Sequence, residues 1–234
     1  MRTVLFLSIV LAALLPRPAS AEDSLDAVIA RTIHVYGGEA ALRQVVALRQ
    51  TGQITSRMRG GVGDTVREFE RPDKLRVVTR YGTDTESRIV DGKSGWRQGQ
   101  FVAGAPLDAM VLQAARFNLP LWLLDRKAQL VDNGTKTIEG HPVRALELPV
   151  APGLMLTIDI DVASGMIVRT SGRGGQMPNG APMEFITRYT DFRVVGGILF
   201  PFHEWSYANG FVTGDSILMK IEVLKALPPA TFRP

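Results

Sequence analysis

Histidine and cysteine are the side chains that most often hold metal ions, and this chain has three histidines and no cysteine. The histidines are His34, His141 and His203, which lie far apart in the sequence with no paired spacing. A zinc site takes three or four protein ligands from histidine, cysteine and carboxylate side chains. The sequence therefore predicts no metal site, and nothing in it indicates a bound cofactor.

Two carboxylates, Asp159 and Asp161, are spaced so that both would point to the same side of a β-strand. A carboxylate pair can act as a general acid and a general base. Asp161, however, opens a turn that ends at Ser164-Gly165, and we expect Asp159 to be a solvated residue of the outer face. The Gly-x-Ser-x-Gly elbow of hydrolases and a phosphate-binding glycine loop are both missing. We therefore predict no catalytic residues and no enzyme activity.

The amino terminus has the layout of a secretory signal peptide. Arg2 is followed by an apolar run from Val4 to Leu15, and cleavage is expected after Ala19-Ser20-Ala21. This run is too short for a membrane anchor, because a spanning helix takes about 20 apolar residues. We predict a cleaved signal peptide at residues 1–21, one domain at residues 22–234, and a soluble, periplasmic mature protein.

The charge of the chain argues against binding to nucleic acid. The formal net charge is +4 at pH 7, from 27 lysines and arginines and 23 aspartates and glutamates. The basic residues are scattered, whereas nucleic-acid binding needs a concentrated basic face. We predict no nucleic-acid partner.

The elements that would position a site begin with two short helices. Asp23 or Ser24 can cap a first helix, whose apolar residues recur at helical spacing until Gly37-Gly38 ends it. The segment from Glu39 to Ala47 again has a helical pattern.

From Leu48 onward, short runs of strand-forming residues alternate with glycine, proline and aspartate turns. Connections this short join antiparallel strands. Apolar residues alternate along the strand from Ser216 to Val223, at Ile217, Met219, Ile221 and Val223, which predicts one apolar face. About ten such strands, together with the helices, predict an α+β fold in which helices cover the concave face of an antiparallel sheet.

The segment from Pro106 to Lys127 is the most apolar part of the mature chain, and Pro120 divides it into two helices. Such helices need cover on more than one side, so we place them against the concave face. A dry apolar cavity beneath them would accept hydrocarbon. The ligand-binding residues predicted for this cavity and its lid are Phe69, Trp96, Leu107, Met110, Val111, Phe117, Leu121, Trp122, Leu124, Phe185 and Met219.

Several motifs follow one another in an order that resembles the LolA/LolB-like family of periplasmic lipoprotein-sorting carriers. They are Tyr36-Gly37-Gly38, Arg71-Pro72-Asp73-Lys74-Leu75-Arg76, Asp91-Gly92-Lys93 with Trp96, Gly140 to Leu148, Ile160 to Gly165 and Tyr189 to Pro201. The resemblance implies an unclosed barrel of about eleven antiparallel strands with helices plugging the open side, and an interior that holds acyl chains. Chaperone members of that family depend on an interior arginine. Arg49 and Arg57 lie on the expected first strand, and neither matches that arginine residue by residue.

The predicted export, the apolar lid and the resemblance together predict a periplasmic carrier or binding protein for lipid or lipoprotein acyl chains. Its expected partners are those acyl chains, an envelope protein, and the membrane in transient contact. An envelope interaction or sensor module on the same scaffold is the alternative, and an envelope enzyme ranks third.

Overall fold

The computed structural model describes residues 23–176 and 180–234. Within them, thirteen antiparallel strands form one sheet. The strands are β1 (Ala47–Ser56), β2 (Gly61–Glu70), β3 (Lys74–Tyr81), β4 (Asp84–Asp91), β5 (Ser94–Arg97), β6 (Gln100–Val102), β7 (Val131–Ile138), β8 (His141–Ala151), β9 (Leu154–Asp161), β10 (Ile167–Gln176), β11 (Pro182–Val195), β12 (Ile198–Ala208) and β13 (Phe211–Leu224). The helices are α1 (Leu25–Val35), α2 (Glu39–Arg43), α3 (Ala105–Arg116) and α4 (Leu121–Asp125), with 3-10 turns at Lys127–Gln129 and Pro229–Phe232.

The order of the strands explains where the helices must lie. The chain starts in the middle of the sheet at β1, and β2 to β6 follow one another to one edge. It then crosses through α3 and α4 to the opposite edge, where β7 begins, and β8 to β13 return until β13 pairs with β1. The edge strands β6 and β7 do not pair with each other, so the barrel is unclosed.

The predicted α+β fold, an unclosed antiparallel barrel with helices on its concave face, is thus confirmed. The sheet has thirteen strands rather than about eleven. Strands β5 and β6 are four and three residues long, which is too short for an alternating pattern to reveal. The second helix is also shorter than predicted, because Ala47 already pairs as the first residue of β1.

The helix boundaries follow local signals. The side chain of Ser24 accepts a hydrogen bond from the backbone N–H of Ala27 and so caps α1. The chain after α1 turns at Gly37, where a Cβ atom would lie 2.2 Å from the carbonyl oxygen of Gly197. Glycine is therefore required at position 37 for α1 to approach the β11–β12 hairpin so closely.

The long helix α3 bridges the two arms of the open barrel. It contacts β4 and β5 on one arm and β8, β9 and β10 on the other. A Cβ at Gly172 of β10 would lie 2.5 Å from Cδ2 of Leu112, and a Cβ at Gly95 of β5 would lie 2.7 Å from Cδ1 of Leu107. The interior beneath α3 is thus filled by the helix itself, which rests on glycine backbone in both arms.

The close approach of α3 leads to a stability prediction for Gly172→Ala. We expect this variant to lose about 1–3 kcal/mol of unfolding free energy, because the new methyl group overpacks the buried Leu112 side chain. Gly61→Ala is the matched control, since it is also a strand glycine without positive φ and no atom lies within 4 Å of its Cβ position. Urea denaturation of both variants makes the comparison. An equal effect at the two positions would contradict close packing of α3.

A second, smaller core lies on the outer face of the sheet. Phe232 and Leu227 of the carboxy-terminal segment pack there against Ala47 and Ile89. Trp96 joins this outer cluster from β5 and is only partly buried. The carboxy-terminal segment therefore shields from solvent the apolar side chains that point away from the concave face.

The signal peptide predicted for residues 1–21 lies outside the described residues. Among the residues that are described, no helix combines the length and the hydropathy that crossing a bilayer requires.

Candidate functional site

A cavity of about 80 Å³ lies between the curved sheet and the helical segment. Its helix side is formed by α2 and by the loop that joins α3 to α4, and its sheet side by β1, β2, β10, β11 and β12. Most of its lining is apolar. The apolar lining residues are Leu42, Val45, Leu48, Phe117, Leu119, Pro120, Ile167, Ile198, Leu199, Phe200 and Pro201.

The sheet side of the cavity also carries a buried ion pair. Nη1 of Arg67 donates a hydrogen bond to Oε2 of Glu204 over 2.6 Å, and both side chains are almost fully buried. Arg67 lies on β2 and Glu204 on β12, with β1 and β13 between them. In a flat sheet these strands would be about 14 Å apart, at about 4.8 Å per strand. The contact therefore shows how strongly the sheet curls around the cavity.

Two tyrosines also belong to the polar part of the lining, as does Gln50. Burial raises the pKa of Tyr189 to about 12, although the nearby Arg116 opposes the shift, and its hydroxyl lies 2.8 Å from that of Thr170. Burial also raises the pKa of Tyr36, whose hydroxyl accepts a hydrogen bond from the backbone N–H of Ile167 over 3.1 Å. Both phenols stay protonated at neutral pH, so they act as hydrogen-bonding groups and not as bases.

Two further arginines reach the cavity. Arg116, the last residue of α3, donates to the hydroxyl of Thr187. Arg71 follows directly after β2, and its Nε is buried without a hydrogen-bond partner among the described residues. Burial lowers the pKa of Arg71, against the field of Asp125, which raises it. The lining therefore contains three arginines and one glutamate.

Of the predicted ligand-binding residues, Phe117 lies in the lining of the cavity. Phe69 stacks on Phe117 with their ring centroids 5.0 Å apart, and Leu107 lies over Gly95. The other predicted residues that belong to the main core beneath the helices are Met110, Val111, Leu121, Trp122, Leu124 and Phe185. These residues hold the lid in place and do not line the cavity.

Two predicted residues lie away from the cavity. Trp96 packs with the outer cluster, because its partner across the ladder, Ile89, faces outward. Met219 is 63% exposed. The expected alternation along β13 is wrong at this point, because a bulge pairs Thr51 with Lys220 and Gly52 with Leu218, which leaves Met219 without a partner. Of the residues predicted for the apolar face of β13, Ile221 is buried, whereas Ile217, Met219 and Val223 are exposed and Leu218 is buried in their place.

Neither of the two arginines noted for the expected first strand lies in the interior. Arg49 of β1 points outward and pairs with Glu68 over 2.8 Å, and Arg57 is exposed just beyond the end of β1. The buried arginine is Arg67, which alternates with Thr65 and Phe69 on the concave face of β2. That alternation was a signal that could have identified it.

The expectation that Asp159 is solvated is also wrong. Its side chain is fully buried on the outer side of β9, with Nζ of Lys136 at 2.8 Å and Nε of Arg169 at 3.2 Å. Asp161 does open the predicted turn, since it accepts hydrogen bonds from the backbone N–H and the hydroxyl of Ser164. In the described part of the chain, no three histidine, cysteine or acidic side chains come together as a metal site.

The architecture is similar to that of a known solved structure, although the sequence comparisons find no relative. No protein-family model matches the sequence, and no curated protein is a significant match. A solved structure of a LolA superfamily protein from Nitrosomonas europaea aligns with a TM-score of 0.52 at 10% sequence identity, covering 83% of this chain and 96% of that one. This chain and that LolA superfamily protein share the same overall fold. At this identity the likeness concerns the LolA fold alone.

Two other solved structures are similar at lower scores. One is a DUF1329 family protein from Desulfovibrio piger, with a TM-score of 0.46, 10% identity, and coverage of 91% of this chain and 98% of that one. The other, from Vibrio parahaemolyticus, is described provisionally as an outer membrane lipoprotein-sorting protein domain. Its TM-score is 0.49 at 9% identity, with coverage of 89% of this chain and 95% of that one. No argument rests on these two.

Proposed function

We propose that this protein is a periplasmic carrier or binding protein for lipid acyl chains, which enter the cavity between the curved sheet and the loop from α3 to α4. The observation that carries the proposal is the cavity, with its mainly apolar lining in the interior of a LolA fold. The apolar part of this lining favours hydrocarbon over water. Export through a cleaved signal peptide at residues 1–21 belongs to the same proposal.

The cavity is small for an acyl chain, so its lining must change shape when a chain binds. Its volume of about 80 Å³ is roughly half of the about 150 Å³ of an engineered apolar cavity that binds benzene. An acyl chain must therefore displace lid side chains when it enters. Phe117 and Leu119 line the cavity and are only partly buried, so they are the lid side chains that an entering chain would displace.

The test is calorimetric titration of the protein with decanoate, supported by native mass spectrometry of protein purified from a membrane-containing host. Each buried CH₂ of a chain contributes about 0.8 kcal/mol, so losing contact with two of them weakens binding about tenfold. Leu199 lies in the lining and is partly buried, and we expect Leu199→Trp to fill the cavity and weaken decanoate binding by about this factor or more.

Met219→Trp is the matched control for this experiment, because it adds the same ring on the exposed outer face, away from the cavity. Its affinity for decanoate should equal that of the unchanged protein. If the unchanged protein binds no decanoate and never co-purifies with lipid, the proposal fails. Equal weakening by both substitutions would place the binding site elsewhere.

A second candidate function is a protein-binding module in the cell envelope. The observation that favours it is a row of exposed apolar side chains on the outer face of β13, where Ile217 is 52% and Met219 63% exposed. Exposed apolar patches commonly mark interaction surfaces. This function needs no cavity, so the decanoate titration separates the two candidates.

A further inference from the structure

The charges that line the cavity do not balance. Of its three arginines, Arg67 is neutralised by Glu204, the one carboxylate in the lining. In the part of the chain that the structure describes, neither Arg71 nor Arg116 forms an ion pair with a carboxylate. The cavity therefore carries an excess of two positive charges beside an apolar wall.

Arg71 is the more poorly satisfied of the two. Its Nε is buried without an acceptor among the described residues, and a buried donor without a partner is destabilising. Asp125 is close enough to raise the pKa of Arg71, but its Oδ1 already accepts a hydrogen bond from Arg43 over 2.8 Å. Within residues 23–176 and 180–234, Asp125 thus offsets part of the desolvation of this guanidinium group through its field, and no side chain accepts a hydrogen bond from its Nε.

Among the residues that the structure describes, Arg116 has one hydrogen-bond partner, the neutral hydroxyl of Thr187. A guanidinium group presents five donors in a planar fork that matches a carboxylate or a phosphate. Most of that donor capacity is unused at Arg116. Two such groups in the lining of one cavity, together with apolar residues such as Leu48, Phe117 and Leu199, suit a molecule with an anionic end and a hydrocarbon tail.

We propose that the cavity selects anionic amphiphiles, whose carboxylate or phosphate head group binds Arg71 and Arg116 while the hydrocarbon tail lies against the apolar wall. This inference rests on the proposed function and specifies its ligand class. The head group would supply the acceptor that Arg71 Nε lacks and the counter-charge that Arg116 lacks. The ion pair between Arg67 and Glu204 stays intact and forms the floor of the site.

The experiment compares decanoate, decyl phosphate and the uncharged 1-decanol by calorimetric titration of the full mature chain. A hydrogen bond to a charged group contributes about 1.5–3 kcal/mol, so each anion should bind about 10- to 100-fold more tightly than 1-decanol. Inorganic phosphate and acetate are titrated alongside. If they bind as tightly as the amphiphiles, the site holds a free anion and the proposal is overturned.

Two substitutions assign the effect to residues. Arg71→Met and Arg116→Met should each reduce the preference for the anions about tenfold and leave 1-decanol affinity unchanged, and the double variant should show no preference. Arg71→Met should also be at least as stable as the unchanged protein, because it removes an unpartnered buried donor. Arg173→Met is the control, since this arginine is exposed and lies outside the cavity lining.

The outcomes keep the two proposals apart. If 1-decanol binds as tightly as decanoate, and Leu199→Trp abolishes both, the carrier function stands and head-group selection is overturned. If none of the amphiphiles binds, the carrier function itself fails. Full preference for the anions in the double variant would also overturn the assignment to Arg71 and Arg116.

Discussion

Glu204→Gln is expected to lower the free energy of unfolding by about 3–5 kcal/mol. The substitution leaves the Arg67 guanidinium buried, with a side chain that is 6% exposed, and removes the carboxylate that accepts its 2.6 Å hydrogen bond. A buried charge without a counter-charge is among the most destabilising changes a core can receive. Urea denaturation monitored by circular dichroism measures the loss.

Glu222→Gln is the control for this substitution. Glu222 also forms an ion pair, with Nζ of Lys220 at 2.8 Å, but both side chains are open to solvent on the outer face. Exposed pairs contribute little, so the change should stay within about 0.5 kcal/mol. Similar losses for the two variants would mean that solvent satisfies Arg67 in the cavity, and the pair would then not be a structural element.

The double variant Arg67→Met with Glu204→Leu tests the same pair in another way. Replacing both partners by apolar residues removes the buried charges together, and such replacements are often neutral. We expect the double variant to be more stable than either single one, so that the double-mutant cycle yields a large coupling energy. Independent, additive effects would show that the two side chains do not interact across β1 and β13.

The fold could be anticipated because its determinants are local in the sequence. Glycine and aspartate turns separate the strands, Ser24 caps α1, and Pro120 stands between α3 and α4 as predicted. Each of these signals depends on residues within one turn of one another. Short antiparallel connections then left few arrangements for the sheet.

The site could not be predicted to the same degree, because the residues that contact one another in it are distant in the sequence. Arg67 and Glu204 are 137 residues apart, and only the curvature of the sheet joins them. The alternation of inward and outward residues along β2 indicates that Arg67 faces inward with Phe69, but it does not indicate which acidic residue pairs with Arg67. The β13 bulge, which turns Met219 outward, and the burial of Asp159 between two basic side chains are likewise consequences of pairing between strands.

Phe69 links the stability of the core to the size of the cavity. Its side chain is fully buried and stacks on Phe117, which lines the cavity. Phe69→Ala should cost about 3–5 kcal/mol of unfolding free energy, because it removes a large apolar side chain and leaves a void. The void adjoins the existing cavity, so the same substitution should enlarge the space that is open to a ligand.

This enlargement has a measurable consequence in thermal unfolding. A ligand that binds only the native state raises the melting temperature, and the rise grows with its affinity. We expect 1-decanol to raise the melting temperature of Phe69→Ala more than that of the unchanged protein, which would recover part of the lost stability. Phe101→Ala is the control, because this ring is 65% exposed on the outer face and should change stability by less than about 1 kcal/mol. If Phe69→Ala is destabilised but gains nothing from 1-decanol, the void is sealed from the cavity, and the core behind Phe117 has no part in binding.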